Sequence, residues 1–206
     1  MGFVIAVDGP AASGKGTIAH RLGEAYGYPV LDSGLLYRAL GQHAHADGAD
    51  IAAAIALTLD PAELERPEVR TRRAGEAASR VAVHHGVRIA LREFQQSFAA
   101  QEPGAVIDGR DIGTVIAPDA DVKLFVTASI EARAQRRREE MRERGDDRSL
   151  TEIEADLRRR DERDRTRTEA PLRAAEDAVV LDTSELGRDE AIAAAIGAVE
   201  AKLARR

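Results

Sequence analysis

The residue types and the spacing that phosphate binding requires occur near the start of the chain, in FVIAVDGPAASGKGT at positions 3–17. An apolar run ends at Asp8, a glycine-containing turn follows, and Lys15 opens a segment with helical periodicity. In such a strand–loop–helix unit the loop amides converge on an anion and the lysine reaches the β and γ phosphates. The GxxxxGK spacing therefore predicts a nucleotide-phosphate site rather than a glycine turn without a ligand. The predicted phosphate loop comprises Gly9, Pro10, Ala11, Ala12, Ser13, Gly14, Lys15, Gly16 and Thr17.

Five short apolar runs predict the strands of one parallel sheet, because helical stretches separate them and no hairpin signals intervene. These runs are residues 3–8, 29–32, 105–108, 122–127 and 178–182. The expected fold class is α/β, a three-layer α/β/α arrangement with helices on both faces of a five-stranded sheet. Ligands of such sheets bind beyond the carboxyl ends of the strands, where this chain carries polar residues. Asp108 is the expected acid that orders water around Mg²⁺ beside the phosphate loop.

Two further polar clusters follow predicted strands. Ser33 stands at a helix N-cap position, with Tyr37 and Arg38 one turn later. They predict either a cap with a surface arginine or a helix start that faces phosphate. Arg110 and Asp111 come directly after a buried strand, where a self-satisfied loop ion pair is the alternative to a site. Their place at the carboxyl end of a strand favours the site.

A helical pattern over residues 67–101 is interrupted near His84–Gly86. Ser79 and Arg88 lie nine residues apart in this segment, so a straight helix would place them on opposite faces, whereas a break lets them converge. The two adjacent histidines do not predict a metal site, because adjacent helix positions diverge and no acid or third histidine lies nearby.

Two strongly charged helices are predicted over residues 129–144 and from Thr151 onward, with a polar loop between them. The second helix carries residues at i, i+3, i+4 and i+7, which share one face; they are Arg160, Arg163, Asp164 and Arg167. Such a stripe suits an anionic substrate, although a solvated, salt-bridged helix is the alternative. A glycine-containing loop between charged helices also suggests a hinged lid over residues 136–167 that closes on phosphates.

Length predicts one domain over residues 1–206, in which the stretch at about 33–101 is mostly helical in pattern. The net charge is −6, and the 30 basic residues comprise 27 arginines and 3 lysines. Because acids are interspersed among the arginines, no net basic patch for nucleic acid is expected. The chain has no cysteine and no apolar run of about 20 residues that could span a membrane. A cytoplasmic monomer is therefore expected.

With these residues in place, the chain resembles the bacterial cytidylate kinase family, a group of nucleoside monophosphate kinases. The segments that carry the resemblance are GPAASGKGT, LDSGLLYR, GEAASRVA, VIDGRDIGTVI, RDERDRTR and APLRAAEDAVVLDTS. They cover most of the chain. They include Thr17, which stands one position after the place where the strict phosphate-loop pattern has Ser or Thr, and this kinase group shares that shift. The resemblance implies phosphoryl transfer from ATP to CMP or dCMP with Mg²⁺, in a P-loop kinase fold with a mobile lid.

The resemblance also implies roles for the site residues. It places Ser33, Arg38, Arg110 and Arg167 near the acceptor phosphate, with Tyr37 in the same pocket. It assigns Ser79, Arg88 and Asp111 to the cytosine and adjoining sugar, and Arg160 and Asp164 to the ribose. Lys15 and Asp108 act at the transferred phosphate, together with a lid arginine that is either Arg136 or Arg137. No protein ligand of Mg²⁺ is implied; the ion is held by phosphates and water near Thr17 and Asp108.

One stretch departs from the family pattern. Many members carry a strand-rich insert in their acceptor-binding region, which corresponds to about residues 33–101 of this chain. This chain has only residues 47–67 in place of the insert, and the Ala-rich residues 48–66 predict a short helix. The shortness of this stretch leaves the preference between ribose and deoxyribose open. The rival hypotheses are a P-loop kinase for UMP, AMP or a small metabolite, and a nucleotide-binding regulator without catalytic activity. The regulator would show an eroded lysine, acid or lid stripe, and the chain shows none.

Overall fold

The protein is an α/β structure built on a five-stranded, all-parallel sheet. A computed structural model describes residues 2–43, 64, 66–143 and 145–204. The strands are β1 (Phe3–Asp8), β2 (Val30–Asp32), β3 (Gly104–Gly109), β4 (Val122–Thr127) and β5 (Val179–Asp182). The predicted fold class is confirmed, and every strand lies within one or two residues of its predicted position.

The order of the strands, β2-β3-β1-β4-β5, places β1 at the centre of the sheet. Asp8 at the end of β1 is in register with Gly109 at the end of β3, and Asp32 of β2 pairs with Asp108. Because all strands run in the same direction, their carboxyl ends lie along one edge of the sheet. The phosphate loop and the segment after β3 therefore emerge side by side.

Helices cover both faces of the sheet. They are α1 (Lys15–Tyr26), α2 (Ser33–His43), α3 (Arg72–Val81), α4 (His85–Ala99), α5 (Ile130–Arg142), α6 (Leu150–Thr166) and α7 (Arg188–Leu203). Residues of α1 and α7 pack with Ile5 and Val7 on one face, and residues of α2 and α4 pack with Ala6 and Ile107 on the other. Alternate residues of β1 thus enter opposite halves of the core, as the two-residue period of a strand requires.

Two short helical turns complete the described fold: a 3₁₀ turn at Pro67–Arg70 and a π-helical turn at Ile112–Ile116. The predicted interruption of the helical segment is present, since α3 ends at Val81 and α4 begins at His85. The predicted helix over residues 48–66 falls almost entirely outside the described residues. None of the helices in the described part of the chain is long and apolar enough to cross a membrane.

The charged helices α5 and α6 form a separate layer beside the phosphate loop. A small apolar cluster joins them to that loop and contains Ala11, Ala134, Met141, Ile153 and Leu157. The helix α6 begins with a capping box, in which Ser149 and Glu152 satisfy each other's backbone amides. The packing of Ile153 and Leu157 orients α6, the helix that carries Arg160, Arg163 and Asp164.

Candidate active site

The phosphate loop connects the central strand β1 to α1 and curls tightly. Ala12 and Gly14 have φ values of 60° and 90°, so successive amides of the loop can turn toward one centre. A Cβ at Gly9 would lie 2.0 Å from the Val126 carbonyl oxygen, which explains a glycine where the loop leaves the sheet. The Ser13 hydroxyl is fully buried and has no hydrogen-bond partner among the described residues. The loop has the shape of an anion cradle.

Lys15 and Asp108 meet at the base of this loop. The Lys15 Nζ lies 2.8 Å from Asp108 Oδ1. Burial lowers the pKa of Lys15 and raises that of Asp108. A Cβ at Gly16 would lie only 3.2 Å from Asp108 Oδ2, so the glycine after the lysine leaves room for the carboxylate. A basic and an acidic group are thereby placed together where a nucleotide phosphate would lie.

Asp111 is the centre of a buried charge cluster after β3. Its Oδ2 accepts a hydrogen bond from Arg88 Nη2 at 2.5 Å, and its Oδ1 accepts one from Arg167 Nη2 at 3.2 Å. Arg88 is 4% exposed and Asp111 is 6% exposed. The Arg88 Nη1 is buried without a hydrogen-bond partner in the described part of the chain. The cluster therefore combines two cations, one anion and a buried donor that no described residue pairs.

A cavity beside this cluster collects the predicted acceptor residues. It is lined in part by Ser33, Tyr37, Ser79, Arg110, Asp111, Arg160, Asp164 and Arg167. Ser79 of α3 and Asp111 line the cavity together, and Asp111 is hydrogen-bonded to Arg88 of α4, on the other side of the break between the two helices. Burial raises the pKa of Tyr37, which keeps its phenol neutral.

Ser33 does not cap α2, and that part of the sequence prediction is wrong. Ser33 is the first residue of the helix, and its hydroxyl donates to the Asp108 carbonyl oxygen at 2.7 Å. Asp32 performs the capping role instead, because its Oδ1 accepts from the Gly34 amide at 2.9 Å. The serine thus ties the start of α2 to the end of β3.

An excess of guanidinium groups lies next to the acceptor cavity. A second cavity of about 280 Å³ is lined by Arg38, Arg137, Arg160 and Ser79, among others. Burial and then Arg110 lower the pKa of Arg160 to about 9. Burial is also the main cause that lowers the pKa of Arg38, to which Arg137 and Arg110 contribute. The positive charges repel one another at a place where an anion would relieve the repulsion.

Arg110 is the best compensated of these arginines. Its Nε donates to Asp164 Oδ2 at 3.1 Å. Burial lowers its pKa, but Asp164 and Asp108 raise it by more, so the net pKa is raised. Arg110 therefore stays charged beside both the acceptor cavity and the Lys15–Asp108 pair.

Arg136 and Arg137 of α5, the two candidates for the lid arginine, have different surroundings. Arg136 donates through Nη1 to Thr183 Oγ1 at 3.0 Å and through Nη2 to the Thr183 carbonyl oxygen at 2.5 Å. Arg137 has its Nη1 at 2.7 Å from Glu140 on the partly exposed face of α5. Arg137 also lines both the Arg-rich cavity and a cavity of about 730 Å³ beside Gly14 and Thr17. Both arginines line the larger cavity, but Arg136 is held there by Thr183, whereas Arg137 also lines the Arg-rich cavity.

Sequence reasoning missed the buried pair of Arg133 and Asp161. The two guanidinium nitrogens lie 3.1 and 2.6 Å from the two carboxylate oxygens, and Nη1 also donates to the Ala11 carbonyl at 3.2 Å. The residues are 4% and 5% exposed, so the pair fixes α5, α6 and the phosphate loop together. Both residues sit in runs of alternating charge that predict solvated pairs, and nothing in those runs marks one pair as buried.

These features define the protein as a P-loop kinase: a phosphate loop after a central parallel strand, a layer of charged helices beside that loop and an adjoining polar cavity. The sequence profile of the cytidylate kinase family matches residues 5–201. A cytidylate kinase of Caulobacter vibrioides is 59% identical, with 100% of this chain and 99% of that protein covered. A cytidylate kinase of Xanthobacter autotrophicus is 57% identical, with 99% and 100% covered. The chain belongs to the cytidylate kinase family.

A solved structure supports the fold assignment alone. An uncharacterized protein from Eubacterium ventriosum has a TM-score of 0.59 to this chain at 16% identity. The superposition covers 96% of this chain and 98% of that one. The sheet and its helical layers therefore persist at a sequence identity where side chains have largely diverged.

The crowding of Arg160 leads to a prediction about stability. At pH below about 9 this side chain is charged despite its lowered pKa, so its charge destabilises the folded protein. Replacement by glutamine should raise the free energy of unfolding on the order of 1 kcal/mol and the melting temperature by about 2–4 °C, while the KM for CMP rises about tenfold.

Thermal denaturation at pH 7.5 without nucleotide, together with steady-state kinetics, measures both effects. The control is Arg165→Gln on the same helix, where the side chain is exposed and should change neither value appreciably. A lower melting temperature for Arg160→Gln would contradict the proposed repulsion.

Proposed function

We propose that this protein transfers the γ-phosphoryl group of ATP to CMP or dCMP, giving CDP or dCDP and ADP, with Mg²⁺. An oxygen of the acceptor phosphate forms the new bond to the γ-phosphorus, and the bond from that phosphorus to the β–γ bridging oxygen breaks. The observation that carries the proposal is the buried Arg88–Asp111–Arg167 cluster beside the Lys15 phosphate loop. Family membership supports the same reaction.

The cluster fits cytosine by its hydrogen-bonding groups. The base offers an amino donor and two acceptors, at N3 and O2. Asp111 supplies an acceptor and the Ser79 hydroxyl a donor, since both residues line the cavity. The Arg88 Nη1, buried next to Asp111 without a partner among the described residues, would supply a second donor when the base binds. Uracil carries an oxygen in place of the amino group, so a carboxylate would face another acceptor. Buried polar groups left unpaired in this way discriminate strongly between ligands.

The acceptor phosphate belongs at the Arg-rich end of the cavity. Arg110 and Arg160 line the acceptor cavity, and Arg38 lines the Arg-rich cavity that shares Arg160 with it. Repulsion among these arginines favours an anion that neutralises them. Arg167 joins this phosphate end to the base end, because it also contacts Asp111. Placing two phosphates in line, with cations around the transferred group, accounts for most of the catalysis of this reaction class.

We assign the lid role to Arg137. It lines both the donor cavity and the Arg-rich cavity next to the acceptor cavity. Arg136 also lines the donor cavity, but Thr183, directly after β5, holds its guanidinium. In the closed lid Arg137 would stabilise the charge on the transferred phosphoryl group, and Arg136 would support the loop that holds the donor.

The residues near the phosphate loop fit Mg²⁺ held mainly by phosphates and water. Thr17 offers a hydroxyl at the start of α1, and the Asp108 carboxylate approaches because position 16 has no side chain. Mg²⁺ would neutralise phosphate charge. The described residues contain no group of three or more acidic or histidine side chains that could bind a metal alone. We place the reaction in the cytoplasm and treat the enzyme as a monomer, in line with the sequence expectations.

Asp111→Asn tests the assignment of the acceptor base. The substitution replaces one of the two acceptor oxygens with an NH₂ donor and removes the counter-charge of two buried arginines, so kcat/KM for CMP should fall at least about 100-fold. The KM for ATP should stay within about twofold, because the donor cavity is untouched. Coupled detection of ADP formation measures both values.

The matched control is Asp119→Asn, an exposed aspartate of the loop before β4, which should behave as wild type. An Asp111→Asn enzyme with wild-type kcat/KM for CMP would refute the base assignment.

Arg137→Gln and Arg136→Gln separate the two lid arginines. The first should lower kcat about 10²–10³-fold with little change in melting temperature, since it removes charge stabilisation in the transition state. The second should lower the melting temperature and raise the KM for ATP, because Arg136 joins α5 to the end of β5. Steady-state kinetics and thermal denaturation on both variants give the comparison; an exchange of the two patterns would reverse the assignment.

A further inference from the structure

The segment that presents Arg110 and Asp111 continues directly into the π-helical turn Ile112–Ile116. The first amides of any helical turn have no partner within the turn. An aspartate in the position before the turn, the N-cap, commonly accepts the second or third of these amides through its own side chain. Asp111 occupies that position, yet its side chain makes no capping hydrogen bond. Its two oxygens are engaged with Arg88 and Arg167 instead.

The missing cap is supplied by Asp8 from the neighbouring strand. Asp8 Oδ1 accepts from the Ile112 amide at 2.9 Å, and Oδ2 accepts from the Gly113 amide at 2.8 Å. Asp8 is 5% exposed and ends β1, where it is in register with Gly109 of β3. Each carboxylate oxygen therefore serves one of the first two amides of the turn.

The local packing is shaped for this contact. A Cβ at Gly113 would lie 3.4 Å from Asp8 Oδ2 and 3.2 Å from the Lys123 side chain, so only a residue without a side chain brings its amide this close without displacement. Burial raises the pKa of Asp8 to about 7 although both amides lower it. A carboxylate is an expensive group to bury, and both of its hydrogen bonds are directed to this one turn.

We propose that Asp8 is a positioning residue that caps the turn after Asp111 and thereby frees the Asp111 carboxylate for the acceptor base. Without Asp8, the Gly113 amide is left without its acceptor, and Asp111 in the N-cap position is the residue whose side chain ordinarily accepts from that second amide of the turn. A rotation of Asp111 toward that amide would break its contacts with Arg88 and Arg167. Asp8 therefore acts on the acceptor through Asp111, and this inference rests on the proposed function.

The test is Asp8→Asn, which preserves size but presents an amide NH₂ where one backbone N–H requires an acceptor. The KM for CMP should rise at least about tenfold, and the preference for CMP over UMP should fall by a similar factor. The KM for ATP should remain within about twofold, because the Asp8 carboxylate contacts the turn and not the phosphate loop.

The matched control is Asp121→Asn. This carboxylate also accepts a backbone amide, that of Val4 at 2.7 Å, but at the opposite end of the same sheet. It should leave the KM for both substrates within about twofold of wild type, while any general loss of stability would be shared by the two variants. If Asp8→Asn does not fold, Asp8→Ser retains one acceptor and should show a smaller rise in the KM for CMP.

A double-mutant cycle separates positioning through Asp111 from other effects. In an Asp111→Asn background, Asp8→Asn should change the KM for CMP by less than about twofold, since coupled residues are not additive. Full additivity would overturn the proposal. Equal rises in the KM for CMP and ATP, or a loss of active enzyme with unchanged KM values, would also overturn it. Wild-type protein that fails to phosphorylate CMP would instead refute the proposed function, and that result is visible in the same assay.

Discussion

The parallel direction of all five strands is the constraint on which the site depends, because it gathers the polar strand ends along one edge of the sheet. Asp8 and Asp108 end neighbouring strands there, and Asp32 lies in register with Asp108. Burial raises the pKa of both Asp8 and Asp108, and repulsion adds to it: Asp111 and Asp108 act on Asp8, and Asp32 acts on Asp108. Such an edge is stable only with matched donors and cations, which Lys15 and the amides of the turn after Asp111 provide.

Charge balance divides the rest of the site into satisfied and unsatisfied parts. Asp111 lies between two arginines, and Arg110 is matched by Asp164. Burial, and then repulsion from Arg110, lower the pKa of Arg160. In the proposed function, the ion pairs hold Asp111 and Arg110 in place, and the excess positive charge around Arg160 favours the acceptor phosphate. Phosphate binding is thus stabilised by the relief of repulsion as well as by direct attraction.

The sequence predicted those features of the fold that depend on a local pattern of residues. The strands, the phosphate loop and the break before α4 are all encoded in apolar runs and glycine positions. Contacts that depend on three-dimensional register were not accessible in this way: Ser33 donates to a carbonyl of a neighbouring strand instead of capping its helix. Arg133 is buried although its sequence surroundings resemble those of solvated arginines. The cap that Asp8 supplies joins residues 104 and 105 positions apart, a separation that no local pattern reveals.

The central claim is that the buried cluster around Asp111 selects cytosine as the acceptor base. It is tested most directly by competition, with CMP, dCMP, UMP and AMP at equal concentrations in one reaction and limiting ATP labelled in the γ-phosphoryl group. Chromatographic separation then shows which diphosphate receives the label. The structure predicts that CDP and dCDP together gain label at least about 100-fold faster than UDP or ADP. Label that enters UDP or ADP at a comparable rate would contradict the assignment of Asp111 as the cytosine-reading group.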